Sequence, residues 1–170
     1  MRDWMLDFAD YVRELLPEGL AEPFIALARP AIRLSIIEEG ESTVDWPVGR
    51  LGGLPRLPEG VAWPRTDGGS AMRFLAELDC VALAAYESDI DLPAEGTLLF
   101  FATWDSAAAQ VIPLPAGAIR APDGEVPVGG EERVFSEAPL VAETVATWPT
   151  RGHDELVKLG DDFWDRLVGE

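Results

Sequence analysis

The run from Gly49 to Pro64 holds four glycines and three prolines in sixteen residues, and it limits what the rest of the chain can build. Glycine costs backbone entropy and proline removes a ladder donor, so the run reads as a structured loop, neither a helix nor a central strand. Gly52-Gly53 suits a turn with positive φ, or a point where another backbone comes close. Leu54, Leu57, Val61 and Trp63 are apolar enough to pin the loop to a core.

Further motifs follow in order. Arg50-Leu51-Gly52-Gly53-Leu54-Pro55, Leu57-Pro58, Trp63-Pro64 and Asp67-Gly68-Gly69 precede Met72-Arg73-Phe74-Leu75-Ala76-Glu77-Leu78-Asp79. Leu92-Pro93 and Gly96-Thr97-Leu98-Leu99-Phe100-Phe101 come next. In this order, over about residues 49 to 104, the chain resembles the YwqG-like family, whose function is unknown. Longer members carry a second half with a His-x-Leu-x-Gly-x-Pro segment and a following Gln, and this chain has neither. The resemblance therefore implies one domain over residues 1–170 that lacks the family's C-terminal half, and it assigns no functional residue.

With 170 residues, about half of them apolar, the chain is long enough to bury a core without a metal or disulfide. The single cysteine, Cys80, rules out an internal disulfide and fits a reducing compartment. The opening residues carry acids among their apolar positions, so they lack a signal-peptide core, and no apolar run reaches the roughly 20 residues needed to span a bilayer. The expected location is the cytoplasm. Acidic residues outnumber basic ones 31 to 13, a formal charge of −18. Such a surface repels phosphate backbones and anionic lipids, which disfavours nucleic-acid and membrane roles.

Periodicity predicts a helix over residues 3–16 with Trp4, Phe8, Tyr11, Val12 and Leu15 on its apolar face. A short helical pattern follows at Phe24, Ile25, Leu27 and Ala28. Alternation over Ala31 to Ile37 predicts a strand burying Ile32, Leu34 and Ile36. In Ala71 to Asp79, Met72, Phe74, Ala76 and Leu78 read as inward and Arg73, Glu77 and Asp79 as outward. Thr97 to Trp104 is apolar on both faces, as in a covered strand. Gln110 to Leu114 and Leu140 to Trp148 read as strands, Arg133 to Phe135 as a brief pairing, and residues 153 to 167 as a closing helix. The expected fold is α+β: a mainly antiparallel sheet with N-terminal helices and a C-terminal helix.

Glu77 and Asp79 fall on one strand face about 7 Å apart, a spacing that suits an acid and a base, with Arg73 to hold one ionised. The plainer reading is a charged strand face. His153, the only histidine, lacks the companions that a metal site or nucleophile relay needs, and Cys80 reads as a core thiol. Trp46, Trp63 and Trp148 each precede proline and are followed closely by Arg50, Arg65 and Arg151. They form an aromatic platform for a peptide or sugar, or they cap the ends of a sheet.

These observations order the functional expectations. First stands a non-enzymatic interaction module, immunity-like or an inhibitor of a basic protein, in which Trp46, Arg50, Trp63, Arg73, Glu77, Asp79 and Trp148 are the candidate binding residues. No cofactor, metal, nucleic acid or membrane is expected, and homodimerisation through an uncovered strand edge is open. A hydrolase or transferase using Glu77 and Asp79, with or without a divalent cation, and a peptide or glycan binder using the tryptophans are the alternatives.

Overall fold

The computed structural model describes residues 3–37, 46–104, 108–118 and 134–148; the expected closing helix, with His153, lies outside them. Helices α1 (Asp3–Leu15) and α2 (Glu18–Ile25) lead into β1 (Arg29–Ile36) and β2 (Gly49–Leu51). After β3 (Arg73–Asp79) and the short α3 (Cys80–Leu83) come β4 (Thr97–Ala102), β5 (Ala109–Leu114) and β6 (Ala138–Thr147). The strands form one antiparallel sheet in the order β1-β6-β2-β3-β4-β5, so the expected α+β class holds. Contacts divide the described chain into two compact units, one from residues 3–33, 86–91 and 143–148 and one from the remainder.

In the first unit, Phe8, Ala9, Val12 and Leu16 of the α1 region pack with Ala21, Phe24, Ile25 and Ala28. The buried stripe is therefore turned from the expected one: Tyr11 and Leu15 are exposed, because α2 packs along the line of Phe8, Val12 and Leu16. The second helix also lies earlier than its apolar pattern suggests. Pro23 sits inside it and removes the amide that would bond to the carbonyl of Gly19, an exposed residue. Trp148 stacks on Phe8 at 5.6 Å with the ring planes 15° apart, so it closes this core. The expected burial of β1's apolar face fails at Leu34 and Ile36, both exposed on a strand that forms the sheet's edge.

The second unit is organised by the glycine and proline run, with one departure from expectation. Gly49–Leu51 is a strand, and an interior one, pairing with β3 on one side and β6 on the other. Gly49 makes this possible, since a Cβ there would run into the Glu77 carbonyl of β3. Beyond Leu51 the expected loop begins. Gly52 and Gly53 both take φ of 70°; their amides donate to the carbonyls of Leu75 (2.7 Å) and Phe135 (2.9 Å). The pair is thus both a left-handed turn and a close backbone approach. Of the expected brief pairing over Arg133 to Phe135, Val134 and Phe135 belong to no strand, the Phe135 carbonyl accepts from Gly53, and Arg133 lies outside the described residues.

Farther along, Pro55 is fully buried, and Leu57 and Trp63 pack on the core of Met72, Phe74, Leu99, Phe101 and Leu114. Trp63 meets Phe101 edge-on at 5.7 Å, and its Nε1 donates to the Met72 carbonyl at 2.7 Å. The loop and its tryptophan therefore fasten the sheet. Strand β4 is covered on both faces, as its apolar run predicts, with Leu98, Leu99, Phe101 and Ala102 all buried.

Candidate functional site

The register of β3 against β4 decides which side chains can meet. Phe74 pairs with Phe101 and Ala76 with Phe100, so Leu75 is an extra residue, a β-bulge. Beyond the bulge, Glu77 pairs with Leu99, on the face that also carries Phe101 and hence Phe74. Arg73, paired with Ala102, lies on the other face. This corrects the sequence pattern, which set Arg73, Glu77 and Asp79 together outside Met72, Phe74, Ala76 and Leu78. Strict alternation cannot survive an inserted residue. Arg73 and Glu77 therefore do not share a face, as the acid and base arrangement required.

Glu77 meets Arg50 instead. Arg50 pairs across β2 with Glu77, and its Nη2 donates to Glu77 Oε2 at 3.2 Å and to the Leu54 carbonyl at 2.7 Å. Nη1 donates to Glu137 Oε2 at 2.8 Å and to the Gly52 carbonyl at 3.1 Å, and the guanidinium lies 5.4 Å from the Phe74 ring centroid. The Arg50 and Glu77 side chains are only 19% and 18% exposed. This is a strut that ties the Gly52-Gly53 turn to β3 and to the approach of β6. Its stacking partner is Phe74, where the sequence suggested a neighbouring tryptophan.

Arg73 is the opposite case. Its guanidinium carbon lies 3.8 Å from the centroid of Trp104 and 5.4 Å from that of Phe135. No hydrogen bond or ion pair reaches it among the described residues, and its Nε is buried without a partner. A buried donor left unmade costs about 1–3 kcal/mol, and native structures keep few of them. The rings beside it are open to solvent, Trp104 at 73% and Phe135 at 42%, with exposed Val134 next in the chain. A cation close to an aromatic ring face is attracted by the ring's quadrupole, and here the rings also face solvent.

The other expected residues are placed apart from this cluster or used structurally. Asp79 caps α3, its Oδ1 accepting from the amides of Val81 (2.8 Å) and Ala82 (3.1 Å). Trp46 is exposed, Trp63 packs on the core of Met72 and Phe101, and Trp148 stacks on Phe8, so the last two are used in packing. Arg65 donates to the Gly69 carbonyl at 2.7 Å within its own turn, and Arg151 lies outside the described residues. Cys80 is buried, as expected, beside a cavity of about 280 Å³ lined by Pro93, Glu95, Thr97, Leu98 and Pro113. Burial pushes its thiol pKa up, and the neighbouring Asp79 carboxylate adds to the rise.

Sequence reasoning missed Trp104, Phe135 and Glu137. Trp104 ends the apolar sequence run from Thr97, two residues past the end of β4, and nothing in that run separates a core ring from an exposed one. Phe135 and Glu137 reach their arginines only through tertiary contact.

Residues 49–116 match a domain of unknown function, DUF1963. The matched span contains Arg50, Arg73, Glu77 and Trp104, and stops short of Phe135 and Glu137. No curated protein matches the chain. No helix among the described residues is long and apolar enough to cross a membrane. Among those residues, no three His, Cys, Asp or Glu side chains are grouped to hold a metal ion.

Proposed function

We propose that the chain is a non-enzymatic protein-interaction module of the YwqG-like kind, which docks a basic partner at the face formed by Arg73, Trp104 and Phe135. The carrying observation is the Arg73 guanidinium, close to two exposed rings and without a hydrogen-bond or ion-pair partner among the described residues. Arginine and tryptophan at the centre of a patch are the residues that dominate binding energy when a partner excludes water from them. Other arginines are already neutralised within the chain: Arg13 by Glu22, Arg33 by Glu143, and Arg50 by Glu77 and Glu137. The surplus of acids, 31 against 13 bases, is left to steer a positively charged partner, raising the encounter rate more than the final affinity. Glu77 and Asp79, which a hydrolase or transferase would need, are engaged by Arg50 and by backbone amides.

The test is a photoreactive phenylalanine analogue placed at position 104 or, as a control, at exposed Tyr11, in cells expressing the full chain. The reading requires a discrete adduct at 104 that is absent at 11 and lost when Arg73→Gln is added. No adduct at 104, or the same adducts at both positions, would reject it.

A further inference from the structure

We infer that Arg73 reads a single carboxylate on the docked segment of the partner, flanked there by an aromatic residue or proline that packs against Trp104 and Phe135. This rests on the docking reading above and adds the chemistry of the occupant. The Arg73 guanidinium lies beside two rings, and its Nη1 and Nη2 end meets no carbonyl or carboxylate among the described residues. The missing group is therefore an acceptor, and the planar fork of arginine matches the two oxygens of a carboxylate.

Direction and charge narrow the choice. Nε is buried and stays without a partner whatever binds, so a side-on grip through it is closed, and a ligand meets the Nη1 and Nη2 end of the fork. A phosphate offers the same oxygens, but it brings nearly two charges into the field of a chain at −18, whereas a carboxylate brings one. A run of acidic residues is disfavoured for the same reason. The occupant that fits both the local cation and the surrounding field is one Asp or Glu within an otherwise basic segment. Trp104, Phe135 and Val134 supply exposed apolar surface beside the fork, which an aromatic or proline neighbour of that carboxylate would cover.

Three end-blocked peptides separate the possibilities: Lys-Tyr-Asp-Tyr-Lys, its Asn analogue, and its phosphoserine analogue. Binding to the full chain is followed by calorimetry and by the Arg73 Nε–Hε resonance, assigned with Arg73→Lys. The Asp peptide is expected to bind about tenfold or more tightly than the Asn peptide and to move that resonance. Arg73→Lys, which keeps the charge and loses the fork, should erase most of the difference, while Trp104→Ala weakens both peptides. The Asp-to-Asn comparison uses the unaltered protein, so it stands even if a substitution at Arg73 disturbs folding. Equal binding of the Asp and Asn peptides, preference for phosphoserine, or no binding of any peptide at millimolar concentration overturns the carboxylate assignment. The crosslink at position 104 judges the docking face separately, so the two readings fail by different measurements.

Discussion

Arg50 and Arg73 stand on neighbouring strands of one sheet and point to opposite faces of it, because Leu75 adds a residue to β3 between Arg73 and the position opposite Arg50. The consequence is a division of labour. Arg50, with four hydrogen-bond acceptors around its two Nη atoms, holds the glycine turn against the sheet. Arg73 lies against rings and has no acceptor among the described residues.

Arg50→Met should cost about 2–3 kcal/mol, because it leaves the largely covered Glu77 carboxylate without this cation and frees the carbonyls of Gly52 and Leu54. Glu137→Gln should cost less than about 1 kcal/mol, since that side chain is 62% exposed and its ion pair is weakened by solvent. Urea unfolding midpoints compare the two. Equal losses would mean that the Arg50 cluster is not the strut described above.

Gly52→Ala should destabilise by at least about 2 kcal/mol, since the residue keeps φ near 70° and its new methyl would strike the Ser136 carbonyl. Gly53→Ala has the same backbone penalty. Its methyl, however, meets the ends of the Arg50 and Glu137 side chains, and Glu137 is free to swing away. Thermal melts should therefore rank Gly52→Ala below Gly53→Ala, and the reverse order would place the critical approach elsewhere.

Much of this architecture was legible in the sequence, and the exceptions share a cause. The doubly apolar run of β4, the positive-φ pair Gly52-Gly53 and the pinning of the loop by Trp63 are all local properties of composition. The bulge at Leu75 is not local: it exists only in the pairing of β3 with β4, and a single strand shows no sign of it. The same holds for the interior placement of β2, which three residues cannot announce, and for Phe135, brought to Arg73 from 62 positions away in the chain. Arg73 was among the expected binding residues, but for a role beside Glu77 that the register forbids.

Cys80 gives a pH dependence with a definite sign. Burial first, and then Asp79, raise the folded thiol above its ordinary value of 9.0, so the folded state holds the proton more tightly than the unfolded state. The stabilising effect is full below the unfolded pKa and is lost as pH rises through the folded one. Melting temperatures of the parent chain should therefore fall more steeply above about pH 9 than those of Cys80→Ala. A disulfide reagent at pH 8 should label the thiol only after denaturation. Rapid labelling of the native chain would show that the thiol is reachable.

Removing Leu75 tests the register itself. Without that residue, β3 would alternate strictly against β4, and Met72, Arg73 and Phe74 would each change faces if Glu77 kept its pairing with Leu99. Phe74 would leave the cluster with Phe101, losing about 3–5 kcal/mol of packing, and the Arg73 guanidinium would be driven toward the core in its place. Alternatively Glu77 would slip and abandon Arg50. Either way the deletion should abolish cooperative urea unfolding, while Leu75→Ala, which keeps the backbone count, loses only about 1–3 kcal/mol. A deletion variant that unfolds cooperatively at the parent's urea midpoint would mean that Arg50 and Arg73 owe their opposite faces to something other than this one inserted residue.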